Sequence, residues 1–289
     1  MISIQLLFVL LMYLLGNVLS IVSLYILFTH SGLHRNFRMV VFLLIMFGLL
    51  RSFCVYSLAA TNYFIETENG EDVKNIVINA FVFAICGFAI SSLFLSIERC
   101  IAVYTPKDYE RYSSRSSLPC ITFLITTVLT TVLGYWANKN NENQIPLITV
   151  TTAAGFISLI IAITVWVRSK HLWKNRNASL GQRFQIAETN RTSPIYLSIS
   201  VNESICISAM SVMGLLIIQK ENSETMGTSY FIVHLLDACG AWRIIFINFT
   251  LIYYSFLARK SQQVVMAHMS KTAQESTRDH FSGLKEMWN

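Results

Sequence analysis

Residues 76–104 read IVINAFVFAICGFAISSLFLSIERCIAVY, and this stretch decides the fold class. Only two of its residues are charged, Glu98 and Arg99, side by side near its end. As a helix rising about 1.5 Å per residue it is roughly 43 Å long, more than the roughly 30 Å hydrocarbon core of a bilayer. Backbone polar groups in hydrocarbon must be satisfied within the segment, and a barrel would instead show many short alternating strands, so the stretch reads as a transmembrane helix. Comparable apolar runs occupy about 2–28, 39–61, 118–137, 146–167, 196–218 and 229–257, which makes seven spans. The expected architecture is an all-α seven-helix bundle over 1–257 with a polar tail at 258–289, and 169–195 is the one long polar connection.

Composition agrees. The chain has 289 residues, 54% hydrophobic and 13% charged, with a mean hydropathy of +0.51, whereas a soluble domain is roughly one quarter charged. Seven spans leave no room for a large extramembrane domain, and no internal repeat is visible. The six cysteines contain no Cys-x-x-Cys pair and fit neither a disulfide scaffold nor a zinc ribbon. The net charge of +6 is explained by loop placement, so nucleic acid is not an expected partner and the lipid bilayer is.

Loops one, three and five and the tail hold seventeen Lys and Arg, whereas the even loops hold only Lys74, Lys139 and Lys220. By the positive-inside rule the N-terminus is outside and the tail cytoplasmic. The first run lacks a basic leader segment and is longer than the apolar part of a signal peptide, so it reads as a span. The outer N-terminal segment is then nearly absent, as in a chain truncated at its start or one that has lost a leader. The sequons at Asn177 and Asn190 are cytoplasmic in this topology and those at Asn202 and Asn248 lie in spans, so none is expected to be glycosylated.

Seven spans do not settle function, and specific residues must. Counted from Asn75, Arg99 lies about 35 Å along span three, at the cytoplasmic edge. An adjacent acid and base here form a local ion pair whose opening frees the arginine for a partner, as a switch requires. The plainer alternative is that Arg99 snorkels to the interface and counts only toward topology. A second polar segment, LGQRFQIAETNR at 180–191, reads as an amphipathic extension of a helix, or simply as a solvated charged face.

The stretch Glu98-Arg99-Cys100, with Ala102, Val103 and Pro106 beyond it, resembles the Glu/Asp-Arg-Tyr signature of rhodopsin-like G-protein-coupled receptors, with Cys100 in place of Tyr. Lys107-Asp108-Tyr109-Glu110 and the 180–191 segment are similar to the nematode serpentine chemoreceptors of the Sra superfamily, most nearly the Sre family. Arg183, Phe184, Gln185, Glu188 and Arg191 match that family's pattern, whereas Thr189 stands where Asn is usual. Gly16, Asn17 and Val18 resemble a further receptor mark in span one. Span seven has no Pro after Asn248, span six (196–218) has no Pro, and span three and outer loop two lack the usual disulfide cysteines; these departures fit a divergent chemosensory branch better than an amine or peptide receptor. The resemblance implies a receptor for an external small molecule that signals to a heterotrimeric G protein, in the plasma membrane and by family habit in sensory cilia. It assigns coupling and switching to Glu98, Arg99, Pro106, Arg183, Gln185 and Glu188, and implies no cofactor.

Besides Glu98 and Arg99 at the edge of span three, four charged residues fall deep inside spans, where charge is costly and usually faces the bundle interior. Arg51 and Asp237 share one depth and Glu203 and Arg243 another, so two cross-helix pairs are expected, either fixing packing register or contacting ligand. His234 lies one turn before Asp237 and shares its face. These two, with Phe83 and Tyr230 and further aromatic walls from Phe81 and Phe88, make the candidate ligand site. An alternative class, a transporter or channel with a charged route, lacks the paired interrupted helices and internal repeat such proteins show. An enzyme is disfavoured because only His234 lies clearly within a span, which leaves no metal triad, and no Gly-x-Ser-x-Gly elbow occurs. Span seven has no Lys for a retinal Schiff base.

Overall fold

The computed structural model describes residues 4–29, 35–64, 68–105, 117–139, 144–173, 180–221 and 231–256. All seven segments are helices: α1 (Ile4–Thr29), α2 (Arg35–Phe64), α3 (Glu68–Tyr104), α4 (Ser117–Lys139), α5 (Gln144–Trp173), α6 (Leu180–Glu221) and α7 (Phe231–Phe256). No strand occurs among the described residues. Each helix is long and apolar enough to cross a membrane, and the chain is a multi-pass membrane protein.

The packing is inside out. The buried face of α1 is Val9, Tyr13, Gly16, Ser20, Ser23 and Leu27, a helical stripe spaced alternately three and four apart. Its outward face carries Leu7, Phe8, Leu11, Leu14, Leu15 and Val18, all exposed. Apolar tails solvate those residues, so close packing through small residues, rather than hydrophobic burial, holds the helices together. Gly87 of α3 shows the close approach: a side chain there would enter the ring of Phe47 on α2. Helices α2 and α3 are the most enclosed, with 61% and 50% of their apolar windows buried against 22% for α4 and α5; α3 packs against α2, α4, α5 and α6.

Many hydroxyl groups in this apolar interior are satisfied locally. Ser20 donates to the Gly16 carbonyl at 2.8 Å, Ser96 to Ser92 at 3.0 Å and Thr126 to Thr122 at 2.7 Å, the back-bonding to residue i−4 that lets Ser and Thr sit within spans. Others cross between helices. From α6 to α5, Tyr196 Oη donates to Ser158 O at 3.0 Å and Ser204 Oγ to Gly155 O at 3.1 Å, while Ser193 and Ser169 share a bond of 3.0 Å and Ser211 and Thr152 one of 2.5 Å. Four bonds spread over the shared length make α5 and α6 one stitched pair.

Two expectations are corrected here. The long polar connection at 169–195 is largely helical, because α5 runs to Trp173 and α6 starts at Leu180. Residues 180–191 are polar yet rich in good helix formers, so the hydropathy signal stops before the helix does. Helix α6 therefore has 42 residues and contains Pro194. A proline inside a helix cannot donate to the carbonyl four residues back, and that carbonyl, Asn190 O, instead accepts from Ser193 Oγ at 3.2 Å.

Candidate functional site

Arg99 is 1% exposed and is among the largest fully buried side chains of the protein. Its Nε and Nη2 donate to Glu98 Oε2 and Oε1 at 2.5 and 2.6 Å, a bidentate charge-assisted pair between adjacent residues. Its Nη1 donates to Thr192 Oγ1 of α6 at 2.9 Å, and its guanidinium lies over the Phe37 ring of α2, 4.4 Å from the centroid. One side chain on α3 thus touches α2 and α6, and its charge is compensated by its own neighbour. Burial at this level excludes the snorkelling geometry, which requires the guanidinium in water. Thr192, two residues before Pro194, and Phe37 were not singled out by sequence reasoning, because nothing local in either marks it as an arginine partner.

Farther along α6, Glu203 (1% exposed) meets Arg243 of α7 (4% exposed). Arg243 Nε donates to Glu203 Oε2 at 3.0 Å and Nη2 donates to Oε1, with Phe88 beneath the guanidinium at 4.4 Å. Among the described residues the third nitrogen, Nη1, reaches only the Met210 thioether, at 3.9 Å, and a thioether is a weak acceptor. Trp242 Nε1 donates to Asn202 Oδ1 at 3.0 Å beside the pair.

Arg51 and Asp237 behave differently, and the expected pair is corrected: no ion pair joins them among the described residues. The Arg51 guanidinium lies against Gly240 of α7, where a side chain would occupy its place, and 5.4 Å from the Phe81 centroid. Its Nε and Nη2, Tyr13 Oη and His234 Nδ1 are buried without a hydrogen-bond partner among the described residues. Equal depth places two residues at one level without turning them to face each other.

A cavity of about 150 Å³ opens between α3, α5, α6 and α7. Ile85, Ile148, Ile207 and Leu236 contribute apolar wall, and Ser211 and Arg243 contribute polar groups. Phe83, His234 and Asp237 are not among its lining residues; Phe83 packs edge-on against Phe47, 5.8 Å between centroids, and lies beside Gly134 of α4. Pro106 and Tyr230 lie outside the described residues, and so does the tail. Arg183, Gln185 and Glu188 fall within the first turns of α6, but their side chains are outside those described. All six cysteines are free thiols, and among the described residues no three His, Cys, Asp or Glu converge on a metal position.

Two bonded charge centres bear on α6, one from α3 and one from α7, with a cavity beside the second. The model of the family described as serpentine type 7TM GPCR receptor class ab chemoreceptor matches residues 1–289. No curated protein matches the chain.

Proposed function

The chain belongs to the serpentine class ab chemoreceptors, and from that premise we propose that it binds a small molecule from outside the cell and passes the signal to a heterotrimeric G protein. The observation that carries this reading is the Arg99 centre: a buried arginine held by Glu98 and bonded to Thr192 on the helix that α5 reinforces. Breaking the Thr192 bond removes this tie between α3 and α6, and opening the Glu98 pair as well leaves a guanidinium able to turn toward a partner. This is a two-state element that ligand biases by as much as its affinity differs between the states.

The basic connections and tail set this end of the bundle in the cytoplasm, with the N-terminus outside, in the plasma membrane and by family habit in sensory cilia. Glu98 and Arg99 form the switch, and Pro106, Arg183, Gln185 and Glu188 belong to the surface offered to the G protein. The family model that matches is that of class ab, and the likeness of 183–191 to the Sre pattern stays a resemblance. His234 and Asp237, with Phe83 and Tyr230, remain the proposed weaker ligand contacts.

Thr192→Val keeps the side-chain shape and removes the hydrogen bond to Arg99. A bond to a charged group contributes about 1.5–3 kcal/mol, so basal second-messenger output at matched surface expression is expected to rise about tenfold or more under a promiscuous G protein. Arg99→Ala is expected to abolish output. Unchanged output in both variants would return Arg99 to a packing role.

A further inference from the structure

We propose that the cavity between α3, α5, α6 and α7 takes a small, uncharged, mainly apolar molecule carrying one strong hydrogen-bond acceptor, a carbonyl oxygen above all, and that Arg243 Nη1 is the group that reads it. The ligand class deepens the receptor reading and rests on it for its biological meaning, though binding is testable without any signal.

Size comes first. A volume of about 150 Å³ is enough for a molecule of roughly the size of benzene. The walls named above are almost all aliphatic, so most of the ligand surface must be apolar.

Polarity comes next, and the donors present decide it. Ser211 Oγ is already engaged, with Ile207 O at 2.8 Å and with Thr152 Oγ1, and the Thr151 hydroxyl, also in the wall, donates to Leu147 O at 2.9 Å. Arg243 spends Nε and Nη2 on Glu203, which leaves Nη1 facing the Met210 sulfur at 3.9 Å. A guanidinium N–H on a thioether is a donor with a poor acceptor, and a ligand oxygen replaces that sulfur at a gain.

Charge then narrows the class. Glu203 neutralises Arg243 within a buried pair. A carboxylate ligand would bring a second anion beside Glu203 into a site of low dielectric, and no cation besides Arg243 lines the cavity to match it, whereas a neutral carbonyl adds a hydrogen bond and leaves the charge balance untouched. A saturated hydrocarbon fills the volume and leaves Nη1 on sulfur.

The test uses the full chain in lipid nanodiscs, with binding read by saturation-transfer NMR. The probes are cyclohexanone, methylcyclohexane and cyclopentanecarboxylate, matched in bulk and differing in the acceptor. Cyclohexanone is expected to bind roughly tenfold more tightly than methylcyclohexane, and the carboxylate not to bind. Ala89→Leu, which projects into the cavity, is expected to abolish ketone binding. If that variant does not fold, Gly214→Ala serves, since its methyl meets only the flexible end of Ile148, at 3.1 Å, and is expected to weaken the ketone severalfold. Met210→Leu keeps the bulk and removes the competing sulfur, so ketone affinity should rise severalfold.

Equal affinity for ketone and hydrocarbon, preference for the carboxylate, no binding by any probe, an unchanged Met210→Leu affinity, or ketone binding that survives the occluding variant would each overturn the proposal. Ketone binding at this site with no change in second-messenger output in cells leaves the site standing and defeats the receptor reading. Signalling by another agonist that Ala89→Leu leaves intact does the reverse.

Discussion

Glu203 and Arg243 show what a buried ion pair does for one residue and its neighbours. Taking two charges out of water is expensive, and their attraction offsets that cost only when both partners are present. Glu203→Ala leaves Arg243 buried and uncompensated, and a loss of about 3–5 kcal/mol is expected, read as a large fall in melting temperature in detergent. The double variant Glu203→Leu with Arg243→Met removes both charges while keeping bulk, and should recover most of that stability. If the double variant melts as low as the single one, the pair does more than cancel its own desolvation. These residues were legible in the sequence because charge inside a span is rare and depth along a helix can be counted. The same count placed Arg51 level with Asp237 but could not tell which way each turns about its helix axis. Gly240 decides that: the absence of a side chain there gives the Arg51 guanidinium a seat on α7 one turn beyond Asp237.

Helix α6 carries an internal repair. Proline at 194 withholds a donor from Asn190 O, and Ser193 supplies one at 3.2 Å while also bonding Ser169 on α5. Ser193→Ala is therefore expected to cost about 1 kcal/mol in the natural chain and distinctly less in a Pro194→Ala background, where the restored N–H reaches the same carbonyl. A double-mutant cycle by thermal melting checks this; strictly additive losses would show that the serine acts only through Ser169. The apolar core of α6 was plain from hydropathy, whereas its first turns were legible only from the amphipathic pattern of 180–191. Hydropathy registers contact with lipid, whereas helix formation depends on backbone bonding, and over 180–191 the two separate.

The whole molecule is legible from composition because the bilayer reverses the usual arrangement: exposed side chains are apolar and many of the buried ones are Ser or Thr. The proposed orientation makes a simple demand. An epitope at the C-terminus should be hidden from antibody on intact cells and revealed on permeabilisation, and one at the N-terminus should be stained without it; the opposite pattern would invert the topology. The cavity, by contrast, could not be read from the chain, because its wall draws Ile85, Ile148, Ile207 and Leu236 from four helices whose neighbours no local pattern names. Length along α6 has a last consequence. Arg243 grips this helix at Glu203, 23 positions from Leu180, a span of about 35 Å. A tilt of about 10° pivoting at the grip would sweep the Leu180 end through roughly 6 Å. Were α6 to pivot there as one body with the α5 bonded to it, it would act as a lever with its short arm beside the cavity, and a displacement of a fraction of an ångström where a ligand would sit would arrive magnified at the far end.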